Sequence, residues 1–416
     1  MMNHLKQIIP SLLCQDAYKF SMGQVFLHQF PDAVVEWTYK NRNPDTHFTK
    51  EMIDEINYQI DLYCQLRFTD SELKYLSKIR YLKSDYIDYL YFWHPRREQI
   101  TCVFDEEKQQ PVIQFHGPIV QTSYYEVPVM AIVAGVYFQM NYTAEEQEKA
   151  INEAKRRLDE KIDWLNKGEY NIGNFSEFGL RRTFSIEFQD YLVKTLSQWQ
   201  FPKSKFVGTS NVYLAYKYGG VPVGTMAHEF IELVGQGYPE HNPAFSNKIA
   251  MDVWHKEYGL DLGIYLTDCI TTDCFLKDFN KMEATLFTGL RHDSGDPFEW
   301  GEKILAHYTK LGIDTRQKTL LFSDSLDLEK AARLWERFST RCNVAFGIGT
   351  NFSSDNGLPI MNQVIKLTEV NGVPVCKLSD APKDLATGLP SKFMGKDKTY
   401  AQFLTKAIDW RVNHEK

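Results

Sequence analysis

The sequence predicts an α/β protein, a parallel β/α barrel of about seven strands behind an N-terminal α+β domain. Two observations carry the prediction. From about residue 140 onward, seven short apolar runs each end in a polar or glycine-bearing tip: NFSEFGLRR, KFVGTSN, VPVGTMAHE, GIYLTDCIT, ATLFTGLRHDSGD, TLLFSDSLD and VAFGIGTN. Most are separated by amphipathic segments of helical length, such as PFEWGEKILAHYTKLG and LDLEKAARLWERFS. Seven such units in about 210 residues suit a barrel better than an open sheet.

The elements follow in chain order. EMIDEINYQIDLYCQL and DSELKYLSKIRYLK carry helical spacing, and QITCVF and PVIQF alternate as strands do, which makes the N-terminal region mixed α and β. YTAEEQEKAINEAKRRLDEKIDWL reads as one long polar helix leading into the βα units. In TGLRHDSGDPFEWGEK an apolar lead-in meets a polar tip and then a helix start. Asp296 stands as N-cap, Pro297 at the first helical position and Glu299 in the first turn. The expected domains are 1–140, 141–355 for the barrel, and 356–416, a C-terminal segment packing back on the first. Polar strand ends occur in any α/β fold, because loops begin there. Seven of them, two with arginine, exceed what helix capping needs.

Composition narrows the function. A net charge of −7 argues against nucleic acid or an anionic membrane as partner. The seven cysteines are scattered with no CxxC spacing, so neither a zinc site nor a disulfide framework is indicated, and a reducing cytoplasm fits. The apolar run at the start is broken by Pro10 and lacks a small-residue cleavage site. The longest apolar stretch, Val127 to Phe138, falls short of the ~20 residues that span a bilayer.

Several residues at the tips carry chemistry. GIGTN at 347–351 is a glycine turn whose backbone N–H groups suit a phosphate, although the chain has no GxxxxGK[ST] loop. His228 is a structural histidine, a proton carrier or a phosphoryl-accepting nucleophile. Asp268, Asp273, Asp293 and Asp324 suit Mg²⁺ against phosphates, or ribose hydroxyls. Arg181, Arg182 and Arg291 offer forked donors for a carboxylate or phosphate. An anion, a hydroxylated sugar and a metal together indicate a sugar-phosphate substrate.

The set DAYKFSM, FSEFGLRRTFS, FVGTSN, GTMAHEF, LTDCITTDCF, GLRHDSGDPFEWGEK, LLFSDSLDL and FGIGTNF resembles the nicotinate phosphoribosyltransferase family, in family order over nearly the whole chain. The resemblance implies an irregular β/α barrel. It also implies the reaction of nicotinate with phosphoribosyl pyrophosphate to give nicotinate mononucleotide, coupled to ATP and assisted by Mg²⁺, in NAD salvage. By this resemblance Tyr18 and Phe178 sandwich the pyridine ring, and in dimeric relatives the tyrosine comes from the partner subunit, which implies a homodimer. Thr225 and Arg291 hold nicotinate, and Arg181 joins the substrate-binding set. Asp293 holds the ribose hydroxyls and Asp268 faces the ribose or metal. Ser323, Asp324, Gly347, Gly349 and Thr350 form phosphate turns, and His228 matches the histidine that ATP phosphorylates. No metal ligand is assigned.

The chain departs from the family at KLSDAPKDLATGLPSKF, which keeps Lys377 and Lys383 but lacks the glycine of the usual Pro-Gly-Lys turn. The resemblance therefore gives neither lysine a phosphate role. The alternative activity is that of a nicotinamide phosphoribosyltransferase, which has an acidic residue where this chain has Ser210. Serine does not repel a carboxylate, which favours nicotinate. A silent barrel binding sugar phosphate would have lost His228 or the aspartates, and this chain keeps them.

Overall fold

The computed structural model describes residues 4–43, 45–384, 387–391, 393 and 395–415. Met1–Asn3 of the N-terminal stretch, and Leu385, Ala386 and Lys392 of the lysine-rich segment, lie outside the described residues. The chain divides into two compact units. One comprises Met1–Asp32, Trp37–Gly224 and Ile348–Ile365; the other comprises Ala33–Glu36, Thr225–Gly347 and Lys366–Lys416.

In the first unit, β1 (Val34–Asn41) enters from Trp37 onward and lies beside β3 (Gln110–Pro118), which pairs with β2 (Ile100–Asp105). The β2–β3 ladder is antiparallel, from Ile100↔Phe115 to Asp105↔Gln110. The helix Lys50–Gln65 starts at the Thr49 cap and buries Ile53, Ile56, Ile60 and Tyr63 along one side. Helix Ala144–Lys167 begins in a capping box, in which Thr143 and Glu146 satisfy each other's orphan N–H groups, and ends at the left-handed Gly168. The parallel strands β4 (Gly173–Glu177) and β5 (Ser204–Thr209) follow, joined by helix Ile186–Gln198.

In the second unit, β6 (Ile264–Leu266), β7 (Gly289–His292), β8 (Thr319–Phe322) and β9, which runs from Asn343 to Ile348, pair in parallel as sequence neighbours. Helices Pro297–Lys310 and Leu328–Phe338 make the last two crossovers. Phe322 of β8 packs against Trp300, Phe338 and Phe346, an aromatic core under the strand tips. After β10 (Gln363–Val370) and the short β11 (Val373–Pro374), helix Lys398–His414 closes over Ile270, Cys274, Leu378 and Leu389. Its Arg411 is clamped by both oxygens of Asp278, at 3.2 and 2.7 Å, and stacks over Phe245 at 3.7 Å.

Four details differ from the sequence reading. Among the described residues six parallel strands occur, where about seven are predicted. The missing one is VPVGTM: Val223 donates to Thr209 at 3.0 Å, but Pro222 has no N–H, and Gly224 takes φ +159 against the backbone of Tyr18. ATLF closes the helix Lys281–Leu286, and the strand begins only at Gly289. The helix in DSELKYLSKIRYLK stops at Leu76. Ile119–Asn141, 23 residues, is long and apolar enough to cross a membrane by length and composition, against the shorter run read from sequence, and 89% of its apolar window is buried inside the protein.

Candidate active site

The second unit gathers the charged tips. His228 is the first residue of helix His228–Gln236, so it stands at a helix N-terminus and not on a strand tip. Asp268 lies just past β6 and Asp293 directly after β7. The His228 Nε2 is 2.9 Å from Asp268 Oδ1 and 3.8 Å from Asp293 Oδ2. Lys377, which the sequence reading left without a role, places Nζ 3.0 Å from Asp268 Oδ2 and 3.7 Å from Asp293 Oδ2. Ser294 donates its hydroxyl to Asp268 and accepts the Asp380 N–H at 2.9 Å, while Asp380 accepts the Thr272 N–H at 2.8 Å. Gly295, at φ +82, holds a left-handed backbone that disfavours a side chain, and a Cβ there would press within 3.2 Å of Asp380. That conformation accounts for the glycine in RHDSGD.

Electrostatics makes the cluster specific. Burial and the Lys377 ammonium push the His228 imidazole down to about 4, outweighing the two carboxylates. Burial alone would raise Asp268, but Lys377 and His228 hold its carboxyl well below the usual range. Asp293 is likewise lowered: burial opposes ionisation, and Arg291 leads the charges that overcome it. The cluster at neutral pH is therefore a neutral imidazole among two carboxylates and one ammonium. The ligand atoms of His228, Asp268 and Asp293 lie within 4.8 Å of one another, which makes them the candidate metal donors among the described residues.

Arg291 donates to the Met226 carbonyl at 2.9 Å and reaches Asp293 at 3.4 Å. Thr225 directly precedes Met226 in a segment without regular structure. Ser323 donates either to the His292 carbonyl or to Asp293, each at 3.0 Å, so it joins the cluster. Asp324 accepts from Ser325, and Gly347 is buried within β9. Asp273 instead pairs at the surface with Lys303 at 2.7 Å, and Lys383 with Asp409 at 3.0 Å. His292 is buried against Trp300 and Phe322, turned to the aromatic core.

The first unit holds a second constellation. Ser210 donates to Asp16 at 2.6 Å, and the Ala17 N–H donates to the Ser210 carbonyl at 2.8 Å. Arg181 lies 3.5 Å from both Asp16 and Glu126, with its guanidinium 5.9 Å from the Tyr18 ring centre. Lys19, fully buried, pairs with Glu126 at 2.6 Å. Phe178 follows β4, with its N–H on the Ile348 carbonyl at 2.8 Å. Beneath it the buried Glu177 carboxylate accepts from the Gly179 N–H (2.6 Å), Gln189 (3.0 Å) and Thr209 (2.6 Å). Burial pushes Glu177 up to about 7 despite those donors. Gly349 and Thr350 follow β9, and a side chain on Gly349 would press within 3.2 Å of the Phe178 carbonyl.

Sequence reasoning missed Asp16, Glu177 and Lys377. Asp16 and Glu177 lay inside quoted motifs as neighbours of the assigned residues. Lys377 was passed over because the glycine after it is absent.

Comparison with known proteins places the chain in a family. Residues 174–404 match the nicotinate phosphoribosyltransferase (NAPRTase) family and residues 13–134 its N-terminal domain. Nicotinate phosphoribosyltransferases of Chromobacterium violaceum (44% identical over 410 residues; 96% of this chain, 97% of that one) and Cupriavidus necator (43% over 377; 90% and 94%) are similar throughout. Crystal structures of nicotinate phosphoribosyltransferases from Vibrio cholerae (TM-score 0.88, 33% identical, 98% of this chain and 95% of that one) and Porphyromonas gingivalis (0.86, 31%, 97% and 100%) share the fold. With both matched regions in order along the chain and relatives more than 40% identical over nearly all of it, the chain belongs to the nicotinate phosphoribosyltransferase family.

Proposed function

We propose that the chain joins nicotinate to phosphoribosyl pyrophosphate, giving nicotinate mononucleotide and pyrophosphate in NAD biosynthesis, and couples this to ATP hydrolysis through a phosphohistidine at His228. Identity of 43–44% with curated nicotinate phosphoribosyltransferases over 90–96% of the chain supports the substrate. The observation that carries the coupling is His228 Nε2 at 2.9 Å from Asp268, in a setting that holds the ring neutral. With Nε2–H donated to Asp268, Nδ1 keeps the lone pair and is the nucleophile in that tautomer. Attack on the γ-phosphorus forms the N–P bond as the bond to ADP breaks, and water later hydrolyses the phosphoramidate to phosphate. A helix N-terminus favours the added negative charge.

In the transfer step the C1–oxygen bond to pyrophosphate breaks, and the ring nitrogen, which already has a lone pair, forms the new bond. No strong base is required. Asp268 and Asp293 carry negative charge suited to a ribose that becomes cationic, and Lys377 and Arg291 carry positive charge suited to phosphate and carboxylate. The two carboxylates fit Mg²⁺ as oxygen donors, and the ion when bound neutralises the departing pyrophosphate. In the first unit the Arg181 guanidinium and the Tyr18 ring offer an anion partner and a stacking face for nicotinate. All seven cysteines are free thiols among the described residues, which supports a cytoplasmic setting.

The test is turnover of labelled nicotinate and labelled nicotinamide, each with and without ATP. Nicotinate mononucleotide formation stimulated by ATP, with nicotinamide unused, is the expected result. Preference for nicotinamide overturns the substrate assignment, and indifference to ATP overturns the coupling.

A further inference from the structure

The turn after β9 is gripped from behind by a buried ammonium. Lys161, on helix Ala144–Lys167, is only 7% exposed. Its Nζ donates to the Asn351 carbonyl at 2.5 Å and to Asp355 Oδ2 at 2.5 Å. Arg157, one helical turn earlier, donates to the other Asp355 oxygen and is itself steadied by Glu153 at 2.6 Å. The same Nζ stands 5.9 Å from the Phe352 ring, which packs at 5.9 Å against Phe175 of β4. At the other end of the turn Gly349 lies against the Phe178 carbonyl, and Ser353 donates to the Gly179 carbonyl at 3.3 Å. Gly349, Thr350 and Asn351 are thus fixed from both ends.

Packing does not ask for a charge at this position. Burial lowers the Lys161 pKa, and Asp355 works against that loss. A methionine of similar length would fill the space without the desolvation cost, and buried ion pairs as a class add little net stability. What the pair does supply is a fixed carbonyl at Asn351 and a fixed chain exit at Asp355.

We propose that Lys161, held by Asp355, is a positioning residue for the phosphate-bearing substrate: it touches no ligand but sets the backbone of the Gly349–Asn351 turn that receives phosphate. This rests on the phosphate reading of that turn. The full-length chain is compared with Lys161→Met, Lys161→Arg, Asp355→Asn and Thr350→Val. KM for phosphoribosyl pyrophosphate, KM for nicotinate and kcat are measured, and Tm is recorded for each. Lys161→Met is expected to raise KM for phosphoribosyl pyrophosphate about tenfold, while nicotinate KM and kcat stay within about twofold. Lys161→Arg recovers most of the loss, and Asp355→Asn reproduces it. If Lys161→Met does not fold, these two variants carry the same comparison. Equal rises in both KM values, or a fall in kcat that follows Tm, mean a structural role only and overturn the proposal. Thr350→Val raising KM while the Lys161 and Asp355 variants do not sinks the clamp and leaves the turn's phosphate reading standing. If no variant moves that KM, the phosphate reading falls and the clamp falls with it.

Discussion

Lys377 sets its ammonium 3.0 Å from Oδ2 of Asp268, on the carboxylate whose other oxygen holds His228. One buried aspartate is thereby shared between a permanent cation and a neutral imidazole, and the proton stays off the histidine. Lys377→Met should leave Asp268 and Asp293 short of counter-charge at a cost of about 3–5 kcal/mol. Urea unfolding measures it. A loss below about 1 kcal/mol would mean that water, not Lys377, balances the carboxylates.

Acid should weaken the fold through His228. Its folded pKa, about 4, lies below the ordinary imidazole value of 6.5, so the ring's neutrality contributes no penalty above pH 6.5. Between pH 6.5 and about 4 the unfolded ring takes a proton that the folded ring refuses, costing the fold about 3 kcal/mol by the lower limit. Asp268 acts in the same direction at lower pH, its depressed pKa costing stability as pH falls below 3.8. His228→Asn should flatten unfolding free energy between pH 6.5 and 4.5. Parallel pH curves for both proteins would contradict the assignment.

Arg291 spends two of its nitrogens on the Met226 carbonyl and Asp293, and its Nε is buried with no hydrogen-bond partner among the described residues. Arg291→Lys keeps the charge and loses the fork. Nicotinate KM should rise, with a loss of ~2–4 kcal/mol in kcat/KM. Kinetics indistinguishable from the parent would remove Arg291 from substrate binding.

Ser210→Asp would put a second carboxylate beside Asp16, whose own pKa burial already raises. Nicotinate should bind more weakly by several kcal/mol, through like-charge repulsion in a desolvated site. Steady-state turnover is the check, and unchanged nicotinate kinetics would mean that Ser210 does not face the ring substituent.

The strand tips were legible because their chemistry is local. A strand that ends in RHDSGD and runs into Pro297 has one reading, and Asp296 does cap that helix through the Phe298 and Glu299 N–H groups. Less local facts were not. VPVGTM has the composition of a strand, but Gly224 takes a positive φ against a distant backbone, and nothing in the stretch itself announces that. His228 was read one element early for the same reason. Lys377 is about a hundred residues from Asp268 in the chain, and its role depends on a meeting that only the folded second unit creates. Glu177 read as part of a family motif, whereas its hold on Gly179, Gln189 and Thr209 required three separate elements to converge.

The most direct test of the account is phosphate incorporation at His228. Protein incubated with ATP and Mg²⁺ should gain one phosphate by intact mass. The linkage should be acid-labile and base-stable, because protonation of the phosphoramidate nitrogen releases it. His228→Asn should carry no label and hydrolyse no ATP, while retaining a slow ATP-independent transfer to nicotinate through the remaining residues. His292, whose ring packs against Trp300 and Phe322, is the next acceptor to examine if the label persists. Normal phosphorylation of a folded His228→Asn protein would contradict the account.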